Sequence, residues 1–244
     1  MTEFELVALA VAALASATMS GVVGFGGGVI LLGVLLLFLD PLEAIPVHGA
    51  IQIFSNSTRG IRLRSHIDRR IVANHLVLLI PGSLLGLLVA SSVPVDLGRA
   101  LIGVFALIAT WRPRWITPRL EQPLAPKAFL GVGALQGFVN VPLGATGPLV
   151  TPFFKVSTTT RHAFVATFAA TQTAGHLAKV ALFGIDGFDF IDHGPAVLVG
   201  AAAVIVGTMI GTWLLGRVSE ERFRAIFVTA LTVISIRLIL TSVL

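Results

Sequence analysis

A series of about ten apolar stretches, separated by turn residues and charges, is the feature that most constrains this chain. They cover residues 4–23, 28–39, 43–60, 71–92 and 97–112, and then 128–143, 145–155, 161–184, 193–216 and 221–243. An apolar stretch of about 20 residues crosses a bilayer as a helix, whereas transmembrane β-strands alternate apolar and polar residues over about ten positions. The sequence therefore predicts an all-α polytopic membrane protein.

The composition excludes several other classes of protein. Hydrophobic residues make up 55% of the chain and charged residues 12%, against roughly 45–50% and 25% in soluble domains. The absence of cysteine excludes disulfides, thiolate metal sites and cysteine nucleophiles. Because the chain also lacks the zinc-protease, serine-hydrolase and Walker A motifs, we predict a protein that is not an enzyme and has no cofactor or metal site.

The net charge of +5 indicates orientation in the membrane and not nucleic-acid binding, because basic residues concentrate in cytoplasmic loops. With the basic clusters in the cytoplasm, both termini are predicted to be extracytoplasmic, in a cell inner (plasma) membrane protein. The acidic residues fall mostly at the opposite ends of the segments, but they contribute little to orientation. The basic clusters assigned to the cytoplasm are Arg59, Arg62, Arg64, Arg69 and Arg70; Arg112, Arg114, Arg119 and Lys127; Lys155 and Arg161; and Arg217, Arg222 and Arg224.

The polar, proline-rich residues 113–127 divide the chain into two halves. We predict an N-terminal transmembrane repeat over 1–112, a cytoplasmic linker over 113–127 and a C-terminal repeat over 128–244. Each half has about five helical segments, and an odd number of segments places the second half upside down relative to the first. Such inverted-topology repeats are common among transporters.

Each half contains a run of glycine and proline followed by an unusually short apolar segment. The runs lie at 21–28 and 137–152. A helix of 12 residues spans about 18 Å, less than the roughly 30 Å of a bilayer core, so we predict broken or half-length helices near the midplane, either re-entrant or spanning. Such paired breaks point to the binding site of a transporter; the alternative is that the glycines only allow close helix packing. The candidate backbone and hydroxyl donors there are Gly27, Gly28, Thr146, Gly147 and Thr151.

The segment after each break carries polar residues at helical spacing, so that they share one helix face. A shift of 120 positions aligns an amide with an amide and a cation with a cation. Polar groups within the membrane usually face the protein interior or an aqueous path, although they also hydrogen-bond neighbouring helices. The residues are His48, Gln52, Asn56 and Arg59 in the first half, and Gln172, His176 and Lys179 in the second.

Hydrogen-bond donors and cations dominate this set, and no Asp or Glu lies deep within a segment. We therefore predict a small anionic substrate, assisted by backbone N–H groups at the start of the half-helices. His48 and His176 are candidates for carrying a coupling proton, because imidazole titrates near neutral pH. The predicted substrate-binding side chains are His48, Gln52, Asn56, Gln172 and His176, with Arg59 and Lys179 as vestibule charges that attract the anion.

These features predict a secondary transporter that works by alternating access of two inverted halves, since the chain has no ATP-binding motif. Two alternatives stay open: a passive anion channel, and a non-transporting membrane interaction protein whose polar residues only join helices. The sequence does not determine the oligomeric state, a homo-oligomer included. Its predicted partners are the anion, the lipid bilayer and possible coupling protons.

The chain resembles the TauE/SafE family of sulfite exporters over both halves. The resemblance rests on Gly24-Phe-Gly-Gly-Gly28, on Thr146-Gly-Pro-Leu-Val-Thr-Pro152, and on the stretch 166–172 followed by His176-Leu-Ala-Lys179. The chain departs from the family pattern at Gly33, where a proline is usual, and in its second glycine cluster. The resemblance implies transport of sulfite, thiosulfate, sulfoacetate or related sulfonates across a bacterial inner membrane.

Overall fold

The computed structural model describes residues 1–117, 119–218 and 221–243. Within these ranges the chain forms ten α-helices and no strand, which confirms the all-α prediction. The side chains of Arg222 and Arg224, used in the orientation prediction, lie outside the described residues. The helices are α1 Glu3–Val23, α2 Gly27–Leu35, α3 Pro41–Arg62, α4 Arg69–Ala90, α5 Val95–Trp111, α6 Phe129–Leu143, α7 Gly147–Ser157, α8 Arg161–Ile185, α9 Gly194–Leu214 and α10 Glu221–Val243.

Three helices, α1, α4 and α9, are long and apolar enough to cross a membrane. Helix α4 presents large apolar side chains outward, among them Val77, Ile80 and Leu88, which are between 58% and 67% exposed. A bilayer accommodates such a surface, whereas water does not. These helices confirm the class of membrane protein.

Helices α2 and α7 are short, with nine and eleven residues, and so about 14 and 17 Å long. The apolar stretch 28–39 predicted a longer α2, but the helix ends at Leu35 and the chain continues in turns. The chain must become extended at Asp40, which caps α3 together with Glu43 in a capping box, and Pro41 occupies the first turn of α3. The start of α3 at this position therefore limits how far α2 can extend.

Helix α2 turns back along α1 after the first glycine run. The backbone N–H of Gly27 donates to the Ser20 hydroxyl at 3.0 Å. A Cβ at Gly27 would lie only 2.0 Å from the carbonyl oxygen of Ser16. Only glycine permits this approach of α2 to α1, which explains the glycine at this position.

The two halves of the chain pack against each other in helix pairs, each formed by one helix of the first half and one helix of the second. Helix α1 packs against α9 and α6 against α4, while α3 packs against α8 at the centre and α5 against α10. These contacts are the ones expected if α1 corresponds to α6 and α4 to α9; the inverted repeat itself stays a prediction. Residues 113–127, the predicted linker, include short 3-10 helices at Pro113–Trp115 and from Pro126; its location on the cytoplasmic side stays a prediction.

Candidate functional site

Both α1 and α6 end at a glycine with a left-handed backbone. Gly24 has φ 96° and Gly144 has φ 73°, and the two positions are 120 residues apart. The N–H of Gly24 donates to the carbonyl of Ser20, and that of Gly144 to the carbonyl of Asn140. Glycine is favoured at such helix ends because a side chain is strained at positive φ.

The two breaks approach one another at the centre of the protein. A Cβ placed on Gly147 would lie 3.8 Å from the backbone nitrogen of Gly26. Helices α2 and α7 begin there, at Gly27 and Gly147. The first N–H groups of a helix have no partner within the helix and bind anions well.

A cavity of about 30 Å³ lies between the breaks and the central pair α3 and α8, with room for roughly two water molecules. Gly27 and Lys179 do not line it, although both are buried nearby. The predicted site residues that line it are Gly28, His48, Gln52, Asn56, Arg59, Thr146, Gly147, Gln172 and His176. The cavity is also lined by residues that were not among the predicted site residues, among them Ser20, Phe25, Val29 and Phe168.

Part of the polar lining serves helix packing. Nε2 of Gln172 donates to Oε1 of Gln136 at 3.1 Å, and Asn140 Nδ2 donates to the Gly175 carbonyl at 3.2 Å. Gln136 and Asn140 are buried residues that the sequence analysis missed. The available signal was their spacing of four within an apolar stretch, which places them on one face of α6.

Gly28 allows polar side chains of α3 to approach the first break. A Cβ at Gly28 would lie 2.8 Å from Gln52 Nε2 and 3.5 Å from His48 Nε2. The Asn56 amide nitrogen donates to the backbone carbonyl of Gln52 at 2.9 Å. The Gln52 amide therefore faces the start of α2 at the wall of the cavity.

Several buried polar atoms at this site have no hydrogen-bond partner within the described part of the chain. They are His48 Nε2, His176 Nδ1, Thr146 Oγ1 and Arg59 Nε. The two imidazole rings lie edge to face with their centroids 5.4 Å apart. Since an unpaired buried polar group costs about 1–3 kcal/mol, this arrangement favours a polar guest.

The two predicted vestibule cations are both buried. Arg59 is 2% exposed and donates from Nη1 to the Gly24 carbonyl at 3.1 Å. Lys179 is fully buried and donates from Nζ to the Gly144 carbonyl at 2.8 Å, with His48 Nδ1 3.5 Å away. Each cation thus satisfies a carbonyl at the end of a broken helix, where cations are stabilised by the helix dipole. In this conformation neither cation lies in an open vestibule.

The electrostatic surroundings of the cavity are basic. No Asp or Glu side chain that the structure describes is buried. Lys155, which the sequence analysis used only for orientation, lies 4.9 Å from the ring centroid of Phe25 at the cavity wall and 5.6 Å from that of Phe164. Arg161 donates to the carbonyl of Val22 near the same break. The Gly24 end of the cavity is therefore surrounded by cations.

A family model described as sulfite exporter TauE/SafE matches residues 8–238, nearly the whole chain. The chain belongs to the TauE/SafE family. No curated protein matches this TauE/SafE chain, and no solved structure does. Family membership supports a membrane anion transporter, in agreement with the donor-rich, carboxylate-free cavity.

Proposed function

We propose that this TauE/SafE protein is a secondary transporter that moves a small sulfur oxyanion or sulfonate, such as sulfite or thiosulfate, by alternating access. The observation that carries the proposal is the guanidinium of Arg59. It is 2% exposed, lines the cavity and forms no ion pair within the described residues.

A buried charge without a counter-ion is costly, because the desolvation of an ion amounts to several kcal/mol. An anion in the cavity offsets that cost by pairing with Arg59. The amides of Gln52 and Gln172, the hydroxyl of Thr146 and the N–H of Gly147 at the start of α7 supply further donors. A cation would instead meet a positive wall without carboxylates.

The size of the cavity favours a compact guest. A volume of about 30 Å³ suits a tetrahedral or pyramidal oxyanion of a few heavy atoms better than an extended organic sulfonate. We therefore place sulfite and thiosulfate before larger organic sulfonates among the proposed substrates.

The proposed transport cycle is alternating access. Groups of helices that pack across the two halves move around α3 and α8, and the site opens to each side in turn. The proposal includes a cell inner membrane location, extracytoplasmic termini and a coupling proton on His48 or His176. If an imposed pH gradient leaves sulfite accumulation unchanged, then transport is not coupled to a proton.

The central test is sulfite flux into proteoliposomes with equal protein incorporation. We expect Gln52→Ala and Gln172→Ala each to lower the flux about tenfold or more, since each removes a donor worth about 1.5–3 kcal/mol to a charged group. Gln122→Ala, in the exposed linker, is the matched control and should transport normally. Unchanged flux in both cavity variants contradicts the proposed site.

The same preparation separates the alternatives. A transporter shows counterflow and acceleration by anion on the opposite side, whereas a passive channel shows neither. Anions that bind should also raise the unfolding temperature of the detergent-solubilised protein. If sulfite, thiosulfate and sulfonates give neither flux nor stabilisation, the result favours the alternative of a non-transporting interaction protein.

Lys155 provides a test of electrostatic attraction at the Gly24 end. We expect Lys155→Gln to raise the apparent KM for sulfite roughly threefold at low ionic strength, because a charge at the rim of a site mainly affects the association rate. The difference should vanish in high salt, where the charge is screened. Lys127→Gln, an exposed lysine at a distance from the cavity, is the control. A KM difference that persists in high salt contradicts the electrostatic explanation.

A further inference from the structure

Both halves of the chain line the middle of the central cavity. Only the first half lines the end at Arg59. Residues 120 positions apart line it in pairs near the centre, such as Gln52 with Gln172 and Asn56 with His176. At the end, Arg59 lines the cavity but its equivalent, Lys179, does not. The cavity thus reaches Gly24 and Arg59 at one end, but it does not reach their equivalents Gly144 and Lys179 at the other.

Although only Arg59 lines the cavity, Arg59 and Lys179 form matching hydrogen bonds at the two breaks. Arg59 binds the carbonyl of Gly24, 35 positions before it, and Lys179 binds the carbonyl of Gly144, also 35 positions before it. Both carbonyls end a helix at a left-handed glycine. A shared geometry with different side chains indicates a shared role at the two ends.

We propose that Lys179 is the second anion-binding cation of the transport cycle, and that it contacts the anion when the cavity opens toward the Gly144 break. This inference rests on the proposed function. In the described conformation the cavity reaches Arg59, on the side that the orientation prediction places in the cytoplasm, and does not reach Lys179. In the opposite conformation Arg59 remains bonded to a closed Gly24 end, and Lys179 lines the cavity.

The contacts of Lys179 allow its ammonium group to leave the Gly144 carbonyl and bind an anion. Its ammonium is held by one backbone carbonyl and lies near a histidine ring, without a carboxylate among the described residues. A small oxyanion supplies a stronger partner than a neutral carbonyl. The side chain also lies against Gly49, where a Cβ would be 2.7 Å from Lys179 Cε. This glycine leaves the space that the lysine occupies between α3 and α8.

The natural absence of cysteine allows a direct test with single thiols at equivalent positions. Ser20 lines the cavity near the Gly24 break, and Asn140, 120 positions later, is buried near the Gly144 break. Ser20→Cys and Asn140→Cys are each treated with a membrane-impermeant anionic methanethiosulfonate, applied to one face of sealed vesicles at a time. Each thiol reacts in the conformation that opens its end of the cavity. We expect Ser20→Cys to react from one face and Asn140→Cys from the opposite face.

Reaction of both thiols from the same face overturns the proposal. So does an Asn140→Cys protein that transports sulfite while its thiol is unreactive from either face. If one of these variants fails to fold, a second matched pair of cysteine variants replaces it. The pair is Val165→Cys, at a side chain beside Gly24, and Ile45→Cys, at a side chain beside Gly144. Their expected sidedness is the same as that of the first pair.

Protection by methanesulfonate, a compact sulfonate that does not react with methanethiosulfonates as sulfite does, tests whether Lys179 itself binds the anion. Methanesulfonate should slow the reaction of both thiols when Lys179 is present. With Lys179→Gln added, protection should be lost at Asn140→Cys and retained at Ser20→Cys, and Lys179→Arg should restore it. Equal protection with and without Lys179 overturns the proposal, whereas no protection of either thiol in the presence of Lys179 contradicts the proposed function. If Lys179→Gln fails to insert, the sidedness of the thiols with Lys179 intact still decides.

Discussion

Replacing Arg59 with glutamine is expected to reduce sulfite flux by about 100-fold or more. Removing one partner of a buried charge pair typically costs about 2–5 kcal/mol, and Arg59 is the cation that lines the cavity in the described conformation. Glutamine retains a donor for the Gly24 carbonyl but supplies no charge for the anion. Initial rates in proteoliposomes, with the unfolding temperature of each purified variant, provide the measurement.

Arg62→Gln is the matched control for this change. Arg62 lies one turn further along α3, is exposed, and donates to the Thr212 hydroxyl away from the cavity. Its variant should transport sulfite at the normal rate. Arg59→Lys should recover part of the flux, because it restores the charge without the bidentate geometry of a guanidinium. A folded Arg59→Gln protein with normal flux contradicts the role of Arg59 in the proposed site.

Replacing Gly27 with alanine is expected to lower the stability of the protein strongly. The added Cβ would lie 2.0 Å from the Ser16 carbonyl oxygen and 2.3 Å from the Ser20 hydroxyl. The backbone oxygen cannot move aside without displacing α1, so we expect a cost of about 3 kcal/mol, at the upper end for overpacking. The apparent unfolding temperature in detergent should fall by roughly 10 °C.

Gly131→Ala is the control for this stability change. Gly131 lies exposed in the first turn of α6, and a Cβ there meets nothing within 4 Å. Alanine favours helix over glycine by about 0.5–1 kcal/mol, so this variant should be as stable as the natural chain or slightly more so. If Gly27→Ala unfolds at the same temperature as Gly131→Ala, then α2 does not pack against α1 as described.

The helices were largely predictable because each apolar stretch ends at a local signal. Asp40 with Pro41 begins α3, and Gly24 and Gly144 end α1 and α6. The length of α2 was overestimated, since apolar residues continue after its last turn and only the capping of α3 limits it. Hydropathy measures transfer into lipid and carries little information on where an apolar helix stops.

The candidate site was predictable in its residues but not in their partners. Helical spacing and the shift of 120 positions brought together residues such as Gln52 and Gln172, which line one cavity. The burial of Lys179 against the Gly144 carbonyl was not predictable, because it depends on how α6 meets α8 in three dimensions. Neither was the place of Lys155 beside Phe25, since its position in the sequence is also that of an ordinary orientation charge.

The guanidinium at one break and the ammonium at the other give the protein two chemically unequal ends. A planar fork holds an oxyanion by paired hydrogen bonds, whereas a point charge holds it by one contact at a time. Residence times of the same ion at the two faces should therefore differ, and exchange measured in opposite directions should saturate at different concentrations. Microscopic reversibility still forbids this inequality from driving net movement, so the prevailing gradients, and not the shape of the molecule, decide whether the cell loses or gains the ion.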